Sequence, residues 1–191
     1  MRTRRGAQPA HPRLAHAHAR QPQAVFLVGF MGSGKTSVGK ALSRRLGCPF
    51  EDLDDRVQKT QGKRIDQIFR DSGESEFRRM ETQALRELIE ELSSSVQVVA
   101  LGGGTFVPSG NAALIEAAGV HSVFLDAPVE ELLRRCQQEE KNRPLRQTAE
   151  QFRALYEARR GSYMKAAFRI ETEGKDVNAV AAEVACKLGL G

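Results

Sequence analysis

Two rhythms of apolar and polar residues run along this chain. Short, nearly continuous apolar runs occur at Ala24–Val28 (AVFLV), Val96–Leu101 (VQVVAL) and Val120–Leu125 (VHSVFL), with weaker ones at Pro49–Leu53 and Phe168–Glu171. Runs of that length with no polar side predict strands covered on both faces. Between them, apolar residues fall three and four apart. Met80, Ala84, Leu85, Leu88, Ile89 and Leu92 form one stripe, Leu132 and Leu133 open a second, and Phe152, Leu155 and Tyr156 mark a third. That spacing lines one side of a helix. Alternating strands and helices predict the α/β class, with a parallel sheet of five strands between two helical layers. Such sheets bind ligands beyond the carboxyl ends of their strands. Chemistry is therefore expected in the residues that follow each apolar run.

Composition narrows the partners. The chain has 191 residues, enough for one ordinary domain. No apolar run approaches the roughly 18 residues of a membrane span. The net charge of +5 belongs to one end. Residues 1–23 hold Arg2, Arg4, Arg5, Arg13 and Arg20 and no acid, so the remaining 24 basic residues match the 24 acidic ones. A neutral body has no electrostatic reason to hold a polyanion, and nucleic acid is not expected as a partner. Residues 1–23 lack the apolar stretch of a secretory signal and are predicted to be a disordered basic extension, with the domain running over 24–191. His11, His16 and His18 lie in it without a fixed geometry for a metal. Cys48, Cys136 and Cys186 show no metal-binding or disulfide spacing and are expected to be buried thiols.

The first strand runs into Gly29-Phe30-Met31-Gly32-Ser33-Gly34-Lys35-Thr36, which matches G-x-x-x-x-G-K-[ST]. Gly32 and Gly34 permit the backbone turns that point successive N–H groups at phosphate oxygens. A helix opening near Lys35 adds its positive dipole end. Lys35 supplies a charge for the β- and γ-phosphates, and the Thr36 hydroxyl suits Mg2+. The second strand ends in Phe50-Glu51-Asp52-Leu53-Asp54-Asp55. On a continuing strand Asp52 and Asp54 share one face, and one carboxylate can serve the metal while the other receives a substrate hydroxyl. No Asp follows the third strand, so Asp52 takes the metal role. That strand instead ends in Gly102-Gly103-Gly104, which suits a ligand lying close to the backbone. Arg78, Arg143 and the pair Arg159 and Arg160 offer forked donors to a carboxylate and to a transferring phosphoryl group. A polar loop around Gln137–Arg146 is placed to close over the site. No N-K-x-D segment is present, which disfavours a guanine-nucleotide switch. Another small P-loop kinase, of gluconate or nucleoside monophosphate type, would share the phosphate loop, but the triple glycine with Asp54 and Arg78 speaks against it.

Together, VGFMGSGKT, FEDLDD, GESEFRRMETQAL, VVALGGG, NRPL and RRGSY followed by FRIET resemble the shikimate kinase family in order and spacing, from about Ala24 to Thr172. The resemblance implies a three-layer α/β/α P-loop kinase fold with a mobile lid over about 137–147. It implies transfer of the ATP γ-phosphoryl group to the 3-hydroxyl of shikimate, within aromatic amino acid biosynthesis, with Mg2+ as cofactor. By motif, ATP would be held by Gly32, Ser33, Gly34, Lys35, Thr36, Ser37 and Arg143, and Mg2+ by Thr36 and Asp52. Shikimate would be held by Asp54, Arg78, Gly103, Gly104 and Arg159. Lys35, Asp54 and Arg143 would be catalytic, Asp54 as the base. A cytoplasmic monomer with shikimate and ATP as its small-molecule partners is implied as well. The chain departs from the family where R-x-P-L-Y is replaced by Arg159-Arg160-Gly161-Ser162-Tyr163. Both arginines are then candidates for the carboxylate, and the four-residue spacing to Tyr163 favours Arg159.

Overall fold

The computed structural model describes residues 24–92, 95–139 and 148–190. The elements in chain order are β1 (Ala24–Val28), α1 (Lys35–Leu46), β2 (Phe50–Asp52), α2 (Leu53–Gln61), α3 (Ile65–Glu91) and β3 (Gln97–Ala100). They continue with α4 (Ser109–Ala117), β4 (His121–Asp126), α5 (Val129–Glu139), α6 (Ala149–Tyr163), β5 (Phe168–Glu171) and α7 (Val177–Lys187). The five strands form one parallel sheet in the order β2-β3-β1-β4-β5. The basic extension over 1–23 lies outside the described residues.

The central strand β1 shows why the apolar runs carry no polar face. All five of its residues are buried, and they divide by parity. Ala24, Phe26 and Val28 join the core that includes Leu53, Phe77, Leu85, Leu132 and Phe152 from α2, α3, α5 and α6. Val25 and Leu27 join the opposite core, with Val38 and Leu42 of α1 and Val180 and Val184 of α7. A strand alternates its side chains, so one covered on both faces must be apolar throughout. Burying Phe26 and Leu27 completely contributes roughly 2–3 kcal/mol each.

The register places the carboxyl ends of β1, β2 and β3 side by side, with Asp52 opposite Ala100 and Ala100 opposite Leu27. The loops after these three strands therefore converge at one edge. Helix α3 also reaches that edge, and it is broken at Gly73, whose φ of 78° only glycine adopts freely. The segment after the break presents Glu81, Ala84, Leu85 and Leu88 to the core.

Two expectations change. Strand β2 ends at Asp52 instead of continuing, because Asp52 caps α2 by accepting the Asp54 N–H at 3.1 Å. Asp54 thus sits in the first turn of a helix, and strand alternation does not relate the two carboxylates. Of the three cysteines only Cys136 is buried; Cys48 is half-buried and Cys186 exposed. Of the span expected for a lid, Gln137–Glu139 belong to α5, and residues 140–147 lie outside the described residues.

Candidate active site

The loop between β1 and α1 is bent by three glycines in positive-φ conformations: Gly29 (148°), Gly32 (77°) and Gly34 (83°). Gly32 is also pressed against α5, where a Cβ would lie 2.7 Å from the Leu132 carbonyl oxygen and 2.9 Å from Cys136 Sγ. Gly34 is the N-cap of α1 and brings no side-chain cap, and the first turn holds no acid. The leading N–H groups of α1, at Lys35, Thr36 and Ser37, are thus left for an anionic ligand. Lys35 Nζ donates to the carbonyl oxygens of Gly29 and Phe30, both at 2.9 Å. Burial lowers its pKa to about 8, against the opposing pull of Asp54 and Asp52. Ser33 is buried, while Thr36 and Ser37 are at the open side. A cavity of about 580 Å³ opens there, lined by Gly32, Gly34, Ser37, Arg134, Arg135 and Val177 among others.

The carboxylates stand beside this loop. Thr36 Oγ1 donates to Asp52 Oδ2 at 2.8 Å. Asp54 lies behind them, and its pKa is raised to about 6. Burial is the main cause, and the negative charges of Asp52 and Glu81 add to it. Lys35 and Arg78 pull the other way, so Asp54 is within electrostatic reach of both the ammonium of the loop and a guanidinium of α3.

Arg78 is positioned by a residue that the sequence reading passed over. Glu81, 1% exposed, binds Arg78 Nη1 at 2.8 Å and accepts the Thr105 hydroxyl at 2.6 Å. The signal was available, because position 81 falls on the same helical stripe as Ala84, Leu85 and Leu88. A carboxylate on an apolar stripe requires a partner in the core. The three glycines acquire a reason from these same groups. A Cβ on Gly102 would lie 2.5 Å from Asp54 Oδ1 and 2.7 Å from Glu81 Oε1, and one on Gly104 would overlap the Arg78 guanidinium. Gly103 is different, with nothing nearer than 3.7 Å. Two of the three glycines therefore make room for the protein's own charged groups.

The paired arginines of α6 separate cleanly. Arg160 turns away, with Nη2 at 3.1 Å from Asp126 Oδ2 and Nε donating to Tyr156 at 3.0 Å. Arg169 Nε donates to the same oxygen of that buried carboxylate at 2.8 Å. Arg159 lies close to Tyr163 instead, and its positive charge opposes the rise in the pKa of the phenol. The Tyr163 hydroxyl donates to the Gly103 carbonyl, and burial pushes its pKa up to about 12. The structure thus brings Lys35, Asp52, Asp54, Arg78, Gly103, Gly104 and Arg159 to one end of the sheet. Arg143 lies outside the described residues.

A parallel sheet, a glycine-bent anion loop opening a helix, and a carboxylate beside that loop define a P-loop phosphotransferase. A family model described as shikimate kinase matches residues 31–188. The chain is 43% identical over 164 residues to the shikimate kinase of Geobacter sulfurreducens, covering 84% of this chain and 88% of that protein. It is 38% identical over 160 residues to the shikimate kinase of Persephonella marina, covering 84% and 95%. Among solved structures, the Acinetobacter baumannii shikimate kinase in complex with shikimate superposes with a TM-score of 0.79 at 33% identity, covering 89% of this chain and 95% of that one. The chain belongs to the shikimate kinase family.

Proposed function

We propose that this chain transfers the γ-phosphoryl group of ATP to the 3-hydroxyl of shikimate, giving shikimate 3-phosphate and ADP. Family membership supports the reaction, and the seat of Asp54 carries the residue roles. Its carboxylate lies against Gly102 at the mouth of the glycine segment and feels the charges of both the phosphate-loop lysine and Arg78, which suits it to receive an acceptor hydroxyl. Phosphoryl transfer asks a protein chiefly for positioning and for neutralised charge.

In this reading the triphosphate lies on the amides of Gly32, Ser33 and Gly34 and on the first turn of α1, at Lys35, Thr36 and Ser37. The nucleoside extends into the cavity between α5 and the start of α7. Asp54 accepts a hydrogen bond from the 3-hydroxyl and takes its proton as the new O–P bond forms and the bond to ADP breaks. Arg78 and Arg159 grip the acceptor carboxylate, and Gly103 and Gly104 lay backbone against the ring. Arg143 is assigned to the phosphates.

The donor set suits a hard divalent cation. Thr36 Oγ1 and Asp52 Oδ2 are two oxygens already 2.8 Å apart at the mouth of the loop. Few protein ligands, completed by phosphate oxygens and water, are what Mg2+ prefers. Thr36 and Asp52 are the residues that would hold it, and bound there it would supply neutralisation of charge on the phosphate oxygens. Among the described residues no helix is long and apolar enough to cross a membrane.

ATP turnover measured by ADP release, with and without shikimate, tests the reading. Release stimulated by shikimate, and not by gluconate or nucleoside monophosphates, is expected. Stimulation by one of those acceptors with none by shikimate would overturn it.

A further inference from the structure

The Tyr163 side chain joins two parts of the site through a single hydroxyl group. Its ring is fully buried at the C-terminal turn of α6 and lies against Phe124, with ring centroids 5.4 Å apart. A buried phenol needs a partner for its hydroxyl. This one donates to the Gly103 carbonyl, and the Arg159 guanidinium lies beside it. A guanidinium has no lone pair to offer, so the direction of the chain is fixed. The phenol proton goes to Gly103, which leaves the phenol oxygen open to an N–H of Arg159. Arg159 and Tyr163, four residues apart on one helix, are on the same side of α6 and can meet in this way.

The glycine segment needs such a tie. Nothing lies closer than 3.7 Å to the position of a Cβ on Gly103, so side-chain packing does not fix that peptide. A trans peptide is planar, and holding the Gly103 carbonyl against Tyr163 directs the Gly104 N–H to the opposite side. Gly104 in turn lies against the Arg78 guanidinium.

We propose that the Tyr163 hydroxyl is a positioning group for the acceptor, holding the Gly103–Gly104 peptide and the Arg159 guanidinium in one fixed relation. The inference rests on shikimate being the acceptor. The acid then meets donors already in place, and less of its binding energy is lost to ordering them.

Tyr163→Phe removes one oxygen and keeps the ring. Its shikimate KM is expected to rise about tenfold, with the ATP KM within twofold of the parent. In an Arg159→Ala background, Tyr163→Phe should raise the shikimate KM by a clearly smaller factor, because of the two groups it positions only the Gly103–Gly104 peptide remains. An unchanged shikimate KM, an equal rise in both backgrounds, or a parallel rise in the ATP KM would overturn the inference. Should the phenylalanine variant fail to fold, 4-aminophenylalanine at 163 keeps a donor and an acceptor at the same place. Its shikimate KM should stay within threefold of the parent, and a tenfold rise would overturn the inference. The parent enzyme separates the two claims. No shikimate-stimulated ADP release defeats the acceptor assignment, whereas stimulated release with an indifferent Tyr163→Phe defeats only the role of the hydroxyl.

Discussion

Replacing Gly104 by alanine adds one methyl group where the Arg78 guanidinium now lies. The backbone accepts the change, because Gly104 is not among the positive-φ glycines. The new Cβ would overlap Nη1, Cζ and Nη2 together, so the guanidinium must swing aside. In doing so it gives up its 2.8 Å bond to Glu81, a carboxylate 1% exposed. Hydrogen bonds between charged groups contribute about 1.5–3 kcal/mol. The Arg78 side chain is 26% exposed, which favours the lower end, and a loss of about 1.5 kcal/mol in unfolding free energy is expected. The same displacement moves the guanidinium from the acceptor carboxylate. At about 1.4 kcal/mol per decade, the shikimate KM should rise at least tenfold. The phosphate loop is untouched, so the ATP KM should hold. The assay is steady-state ADP release with each substrate varied in turn, beside urea unfolding. The decisive control is the same substitution in an Arg78→Ala background, where the methyl group has nothing to strike and should change the shikimate KM less than twofold. An equal penalty in both backgrounds would refute the claim that Arg78 is what requires glycine at 104.

Asp54→Asn should lower turnover at least tenfold with ATP binding retained, as direct nucleotide titration would show. The same variant should be more stable than the parent in magnesium-free buffer at pH 8, by about 3 kcal/mol. A carboxyl whose pKa rises from 3.8 to about 6 on folding costs stability when ionised above pH 6, and the cost disappears as pH falls toward 4. Urea unfolding at pH 8 and pH 4.5 reads this directly, and a gain that did not shrink at the lower pH would contradict it. Arg159→Ala should raise the shikimate KM at least tenfold with a small change in unfolding free energy. Arg160→Ala should do the reverse: it leaves the shikimate KM within twofold and costs about 1 kcal/mol by leaving the buried Asp126 with Arg169 as its remaining ion-pair partner. Interchanged results would place Arg160 on the substrate.

Much of the site was legible because its chemistry is written in contiguous stretches. The phosphate loop needs glycine at fixed offsets from a lysine, and Gly32 and Gly34 do take the left-handed backbone that this spacing foretells. Asp52 and Asp54 were found as a pair for an incomplete reason. Strand alternation suggested one face, whereas an N-cap turn is what relates them. Glu81 went unnoticed because its partners, Arg78 and Thr105, come from one turn of its own helix and from a loop 24 residues away. The glycine run was read as space for a ligand. Two of its members are required instead by Asp54, Glu81 and Arg78, contacts that no local pattern records.

Unaided, the order of residues determined the alternation of strands and helices, the anion loop and the identity of the charged groups, because each depends on near neighbours in the chain. Which of two adjacent arginines turns toward Tyr163 and which toward Asp126 was decided only in three dimensions. Arg159 and Arg160 have the same chemistry and differ by about 100° around a helix axis. What separates them is a buried carboxylate on β4, 34 residues from Arg160, and the hydroxyl of Tyr163 reaching a glycine 60 residues away. Such choices rest on burial and on partners distant in sequence, and they exist only once the sheet has brought its loops to a common edge.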